Sequence, residues 1–427
     1  MSAKRPALAA GALVALLVGL ASSTAGASPG RRTTLGPVPR AAAGRGLDGL
    51  VYSFGTPGTG FGPKIPELQH ALPTPVHHIP GSVVQIATSN SDTYALTSAG
   101  TVWAWGAGSA GELGNGSTTP YTGTPVEVHL PPGVRITTLA NPMPYDSALA
   151  VDAQGQAYGW GLDWRHTVCL PGPDVLVPQL LPLSDVTLAT GAGAHSLFDA
   201  GGQVVACGRN SAGELGNTTT VDSATPTPVV GLPALGVRAL VSSFEGSGAL
   251  MANGAYYDWG LNQGGQLGDG TTTDSPVPVK VRLPSPVVQV AQGGSRPNNG
   301  QTLAVLADGS VWAWGDGSYG QLGDNATAPS AVPVRVAFPA GARIRQVCSG
   351  GDSSYALGAA GRLWAWGGNQ HGQLGIGDLQ PVLRPVAVHL ELAQISATAT
   401  NVAGLAFVEV RRGLGPGSSS ARRHRAR

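Results

Sequence analysis

The sequence predicts an all-β, seven-bladed β-propeller, closed by pairing of its N- and C-terminal segments. Three observations point there: a recurrent aromatic strand ending in glycine, a constant set of neighbours around each copy, and complementary half-units at the two ends. No long helical period interrupts them.

The aromatic strand reads Trp103-Ala104-Trp105-Gly106, Tyr158-Gly159-Trp160-Gly161, Tyr257-Asp258-Trp259-Gly260, Trp312-Ala313-Trp314-Gly315 and Trp364-Ala365-Trp366-Gly367. Weaker copies are Val205-Ala206-Cys207-Gly208 and Tyr52-Ser53-Phe54-Gly55. The terminal glycines are 51, 55, 47, 52, 55 and 52 residues apart. A fixed period of this length marks a repeat architecture.

Each copy has the same surroundings. Two short apolar segments precede it, such as Val83 to Ala87 followed by Tyr94-Ala95-Leu96. A turn such as Asn253-Gly254 or Asp308-Gly309 comes next, dipeptides suited to tight hairpins because they tolerate positive φ. After the aromatic strand come Gly-Glu-Leu-Gly or Gly-Gln-Leu-Gly at 111–114, 213–216, 265–268, 320–323 and 372–375, then a Pro-Val pair at Pro125, Pro228, Pro278, Pro333 and Pro385. Four short strands make one small sheet that cannot cover both its faces alone. Stacking such sheets around an axis lets each cover the next.

The ends complete the count. The segment around Gly49 to Gly55 has the aromatic strand without its two predecessors, and Gln394 to Val410 supplies two such predecessors without an aromatic strand. Joined, they make a seventh sheet.

Outside the repeats, Lys4 and Arg5, the apolar run Ala7 to Leu20 and Ala25-Gly26-Ala27 read as a cleavable export signal over 1–27. Residues 28–46 read as a flexible leader, 47–410 as the propeller, and 411–427 as a basic disordered tail able to touch an anionic cell-envelope polymer. The whole chain holds 25 basic and 24 acidic residues, but six bases precede Gly46 and six follow Val410. The body keeps 25 − 12 = 13 bases against 24 acids, a net of −11, which argues against nucleic acid as its partner. Three cysteines are too few for a disulfide framework; Cys169 and Cys207 can form one bridge, and their pairing is left open.

These motifs resemble the regulator of chromosome condensation repeat family, here as a secreted bacterial member, over about residues 47 to 410. The resemblance implies a propeller used chiefly as an interaction platform. The blade around Gly161 departs most, with Trp164 to Pro173 replacing the Gly-Gln-Leu-Gly loop, and only His195-Ser196 keeps the family's usual histidine. The founding member exchanges nucleotide on a small nuclear GTPase through a loop insertion and acidic residues that have no assignable place in this sequence.

No phosphate loop, His-Glu-x-x-His pair or Gly-x-Ser-x-Gly elbow is present, so no catalytic residue, cofactor or metal site is expected. Asp308, Asp316 and Asp324 match no calcium-loop spacing. The loops after the aromatic strands share one topological place and should emerge on one rim. Trp164, Arg165, His166, Arg209, Asn262, Tyr319, Gln370 and His371 are the candidate contacts, since exposed aromatics and arginine commonly anchor interfaces. The expected function is a secreted, monomeric, non-enzymatic module that presents this rim to an extracellular protein. Alternatives are an inhibitor of a secreted enzyme, as a secreted bacterial relative with shorter repeats inhibits β-lactamase, and a channel-site hydrolase or lyase acting on polysaccharide.

Overall fold

The structure is a computed structural model that describes residues 51–53, 74–76 and 78–391, except 90–91, 295–299, 360 and 371. The signal, leader, closing-segment and tail assignments fall outside the described residues.

Among the described residues there are six complete four-stranded antiparallel blades, where the sequence period predicts seven. They comprise Val83–Thr88, Asp92–Thr97, Val102–Ala107 and Tyr121–Glu127; Ile136–Leu139, Ser147–Asp152, Ala157–Gly161 and Val175–Leu180; and Val186–Ala192, His195–Ala200, Gln203–Gly208 and Ser223–Pro228. They continue with Val237–Ser242, Gly246–Met251, Tyr256–Gly260 and Ser275–Lys280; Val287–Gly293, Gln301–Leu306, Val311–Gly315 and Ser330–Arg335; and Ile344–Ser349, Ser353–Gly358, Arg362–Gly367 and Val382–Glu391. Before them stands a two-stranded ribbon, Val51–Ser53 with Thr74–Val76. The N-terminal aromatic strand thus takes the Pro-Val strand of its own repeat as partner, the same third-to-fourth pairing found in the complete blades. Its predicted pairing with 394–410 lies outside the described residues.

First strands of successive blades lie against one another, which puts them nearest the axis. Glutamine side chains stitch this inner ring. Gln85 Nε2 donates to Leu139 O at 2.7 Å while its Oε1 accepts from Leu139 N at 2.8 Å. Gln289 repeats the arrangement on Val347, at 3.0 and 2.7 Å. Each amide side chain therefore satisfies one donor and one acceptor on the neighbouring backbone, groups that would be costly to bury unpaired.

Between blades, the second aromatic of the motif is the main filler: Trp105, Trp160, Trp259, Trp314 and Trp366 are fully buried. The Gly-x-Leu-Gly loop of one blade closes onto the tryptophan of the next. Trp160 Nε1 donates to Glu112 O at 3.1 Å, Trp259 Nε1 to Glu214 O at 2.8 Å, and Trp366 Nε1 to Gln321 O at 2.8 Å. Ser247 and Ser354 hydroxyls donate to the same Glu214 and Gln321 carbonyls. The motif's last glycine is required by both backbone and space. Gly216 has φ +62°, and a methyl there would lie 2.8 Å from Trp259 Nε1; for Gly114 the corresponding distance to Trp160 Nε1 is 2.7 Å.

Gly216→Ala should therefore cost about 2–4 kcal/mol, from left-handed backbone strain plus overpacking. Gly133 also has positive φ but faces open space. Gly133→Ala should cost no more than the backbone strain, about 1–2 kcal/mol. Urea unfolding of the two variants separates the contributions.

Candidate protein-binding face

In an antiparallel meander, the turn between first and second strands and the loop between third and fourth strands lie at the same end. Those segments form one face of the disc; the second-to-third turns and the links between blades form the other. In four of the six complete described blades a buried side chain braces the long third-to-fourth loop from within, whereas the first and fifth blades have Gly108 and Gly317 at that place. Asn210 Oδ1 accepts from Leu215 N at 2.9 Å, while its Nδ2 reaches Asn217, Thr219 and Val221. Asn262 does the same toward Leu267, Asp269, Thr271 and Thr273, and Asn369 toward Leu374 and Asp378. Asn262, a candidate contact by sequence, is thus wholly enclosed and holds its loop; it is not available to a partner.

The second blade's loop looked unrelated in sequence but follows this scheme. Asp163 stands where the asparagines stand: its Oδ1 accepts from Val168 N at 3.0 Å, and its own N–H donates to Asp174, as Asn262 N does to Asp274. Val168 takes the buried place of the leucine. Thr167 O accepts from Ser196 Oγ at 2.6 Å, as Glu214 O accepts from Ser247. His166 and Cys169 have φ of +63° and +58°, the left-handed values of the two motif glycines. Cys169 therefore occupies the place of the last glycine, and Cys207 that of the tryptophan it receives. The structure joins the pair, with a Cα–Cα separation of 5.5 Å. A covalent bond replaces the tryptophan-on-glycine contact at this one interface, while Cys348 is buried and takes no part in a disulfide.

On that loop the single 3-10 turn Trp164–His166 lifts three candidate residues outward. Trp164 is 45% exposed, with the Arg165 guanidinium 5.5 Å from its ring centre. Arg165 reaches Asp222 of the third blade at 2.7 Å. Tyr145 and Phe244, from the first-to-second turns of the second and fourth blades, extend the aromatic surface, with centroid distances of 6.4 Å to Trp164 and 6.3 Å to each other. Sequence reading missed both. Aligning the short turns Pro144 to Asp146 and Ser243 to Glu245 across the repeats would have exposed them as the bulky members.

Arg209 is less free than its sequence position suggests. It pairs with Glu245 of the next blade, lies 3.5 Å from Glu214, and donates to Ser211 at 2.7 Å. It ties the third blade to the fourth. Tyr319 and Gln370 are exposed on the fifth and sixth blades, and His371 is outside the described residues. The candidates thus fall into two groups, Trp164–Arg165–His166–Arg209 over the second to fourth blades and Tyr319–Gln370 over the fifth and sixth.

The face is anionic. Asp174, Asp269 and Asp378 are exposed on it, and Asp146, Asp222, Asp274, Asp324 and Asp352 are half-buried. The bases reaching it among the described residues are Arg165, Arg209 and Arg384, the first two held in ion pairs and the third donating to Asn325 at 2.8 Å. Beneath it, burial raises the Asp92 carboxyl well above the carboxylate range, and Asp146 and Glu112 raise it further. Ser89 Oγ lies 2.8 Å from Asp92 Oδ2, and the group is enclosed, leaving no face for a substrate. His195 is likewise enclosed, and burial, then Arg209, pushes it down to about 3. It stays neutral and bonds Ser247 Oγ at 2.8 Å, a link between blades and not an acid–base site. Among the described residues, no group of three or more His, Cys, Asp or Glu side chains is placed to hold a metal ion.

Radial four-stranded blades locked by loops, with one aromatic, acid-rimmed loop face, define an all-β propeller. The regulator of chromosome condensation (RCC1) repeat profile matches residues 99–140, 253–295, 308–357 and 360–403, and a second profile of the same repeat matches 287–321 and 344–373. The chain carries RCC1 repeats over those residues. It is 28% identical over 314 residues to the Ultraviolet-B receptor UVR8 of Arabidopsis thaliana, covering 72% of this chain and 70% of that one. It is 31% identical to the human E3 ubiquitin-protein ligase HERC2 over 57% of this chain, which is 5% of that much longer protein. Among solved structures, human WBSCR16 superposes with a TM-score of 0.74 at 20% identity, covering 84% of this chain and 99% of that one. Prp20p from Saccharomyces cerevisiae superposes with a TM-score of 0.68 at 20% identity, covering 86% and 93%. At that identity the likeness concerns the fold.

Cys207→Ser should lower unfolding stability by about 4 kcal/mol, the order expected for opening a loop whose ends are 38 residues apart. Thiol titration of the denatured, unreduced protein should find Cys348 alone; three reactive thiols would show that the bridge does not form. A pH test addresses Asp163, whose carboxyl burial pushes up to about 6, partly offset by the Val168 amide. The folded state therefore favours the protonated acid and loses that advantage as pH rises through about 6. Asp163→Asn should have a higher Tm than the parent above pH 6, with the gap closing toward pH 4. A gap independent of pH would contradict the assignment.

Proposed function

We propose that this chain is an exported, non-enzymatic interaction module whose loop face captures a positively charged protein. The observation that carries the proposal is the aromatic group of Tyr145, Trp164 and Phe244 set within an acid-rich face. An exposed tryptophan held on a braced turn can enter a partner's pocket with little loss of freedom, and the surrounding carboxylates favour basic partners and speed encounter. A structural neighbour is itself a protein binder: Prp20p has binding properties to Gsp1p and histones. Export is supported by the signal-like first 27 residues and by the enclosed Cys169–Cys207 bridge, since structural disulfides persist mainly in oxidising compartments.

The test is capture by the immobilised mature chain from the secreted fraction of its own source, followed by variants against the identified partner. Trp164→Ala, and Asp269→Lys combined with Asp378→Lys, should each weaken capture at least about tenfold, roughly 1.4 kcal/mol. The Tm of Trp164→Ala should stay within about 2 °C of the parent, as for a surface change away from caps and core. Asp269 and Asp378 also accept hydrogen bonds inside their loops, so their variant is assayed well below its own Tm. Asn262→Ala should do the reverse, lowering Tm by opening its loop. Undiminished capture by both loop-face variants would place the binding surface elsewhere.

A further inference from the structure

The body's net charge of −11 is not spread evenly. The face opposite the loops, built from the second-to-third turns and the links into each first strand, is basic over the fourth to sixth blades. Lys280, Arg282, Arg335, Arg343, Arg345 and Arg362 are all exposed there. Strand register fixes their level: Lys280 stands opposite Tyr257 and Arg335 opposite Trp312, both at the turn end of a third strand. Arg343 O accepts from Ala359 N beside the sixth blade's turn, and Arg345 Nε reaches Gly358 O at 3.3 Å. Arg362 leaves the same turn with its guanidinium 6.0 Å from the Trp364 ring centre.

Acids are sparse in this sector. Asp308 is occupied by Ser310, at 2.6 Å to the hydroxyl and 2.9 Å to the amide, and Glu391 stands opposite Arg362 in the strand register. Lys280, Arg282, Arg335 and Arg343 make no ion pair within 4.0 Å among the described residues, although Arg335 is near enough to help hold the Asp308 carboxyl below its usual range.

We propose that this basic sector lays the disc flat on a bilayer containing anionic phospholipid, with the loop face turned outward. Three features favour a bilayer. The bases are spread across the turn ends of three neighbouring blades, an array suited to many headgroups at once. The large aromatics exposed among the described residues, Trp164 and Tyr319, both belong to the loop face, so the basic face has no exposed ring on which a nucleic-acid base could stack. The sequence after Val410 also adds six arginines to the cationic charge available to an anionic surface. Guanidinium groups pair well with phosphate, and each base near an anionic leaflet strengthens partitioning about fivefold. The anionic loop face is repelled from the same surface, which gives the bound disc one orientation.

The experiment is cosedimentation of the full mature chain with vesicles of mixed phosphatidylcholine and phosphatidylglycerol, against vesicles of phosphatidylcholine alone. Binding should require phosphatidylglycerol and weaken with salt. The triple variant Arg282→Gln, Arg335→Gln, Arg343→Gln should partition at least about tenfold more weakly with its Tm unchanged. A milder pair, Lys280→Gln with Arg362→Gln, should show a smaller loss in the same direction and serves if the triple variant folds poorly. A chain ending at Val410 should keep phosphatidylglycerol-dependent binding that the triple substitution then removes. No binding to the mixed vesicles, equal binding to phosphatidylcholine, binding that depends on the tail alone, or displacement from vesicles by a short DNA duplex at lower charge concentration would each overturn the proposal.

Discussion

The contact on which the structure depends is a tryptophan of one blade seated on a glycine of the blade before it. Individual blades have no independent core: the buried side chains group across blade boundaries, as where Val305, Leu322 and Trp366 share one cluster. A sheet this small is marginal alone, so stability is a sum over interfaces. The glycine lets the indole approach the backbone closely enough for Nε1 to reach a carbonyl that the next blade's serine also bonds. One contact therefore fills the wedge, satisfies a buried donor and sets the angle between neighbours. Glutamate and glutamine both occur in the motif because each supplies the acceptor oxygen the loop requires: Glu112 receives Ala110 N at 2.7 Å and Gln321 receives Tyr319 N at 2.8 Å, while the Gln321 amide also donates to Asp316.

That constraint explains the second interface better than any reading of its residues in isolation. Losing tryptophan at 207 removes the wedge, and losing glycine at 169 removes the seat. Either change alone would leave a cavity or a clash. Both positions are cysteine, and the bond between them restores the connection with far less volume. The same loop carries large outward residues, Trp164 and Arg165, where the corresponding loop of the third blade has Ser211 and Ala212. The most divergent loop is in this way both the most firmly tied and the most exposed in aromatic surface.

Much of the fold was legible in the sequence because it rests on local, repeated signals. The Trp-Gly strand, the Asn-Gly and Asp-Gly turns and the Pro-Val strand each carry their own geometry, and their spacing sets the blades. The blade count was less secure. It relied on joining two distant half-units, and within the described residues the early aromatic strand pairs with its own repeat's fourth strand, leaving six complete blades. The candidate site was legible only in part. Trp164, Tyr319 and Gln370 could be placed from topology, but polarity alone does not say which way a loop side chain turns. Asn262 and Arg209 look like surface residues, yet the first is drawn inward by a ring of backbone carbonyls and the second by Glu245. Tyr145 and Phe244 sit in turns too short to stand out until the fold brings them beside Trp164.

Charge shows the same gap between composition and arrangement. A net of −11 describes the sum over the body and hides its division. Loops that need carboxylates to receive backbone amides, as Asp222 receives Asn210 N and Asp274 receives Asn262 N, concentrate acid at one end of every blade. Bases have no such task in the loops. They collect instead at the links and strand ends, where long side chains can run over the outer sheet edges with their charged heads in water. The polarity of the disc thus arises from the loop chemistry that makes the blades rigid. Its consequence is directional: the two faces present opposite fields, and a partner that suits one is disfavoured by the other.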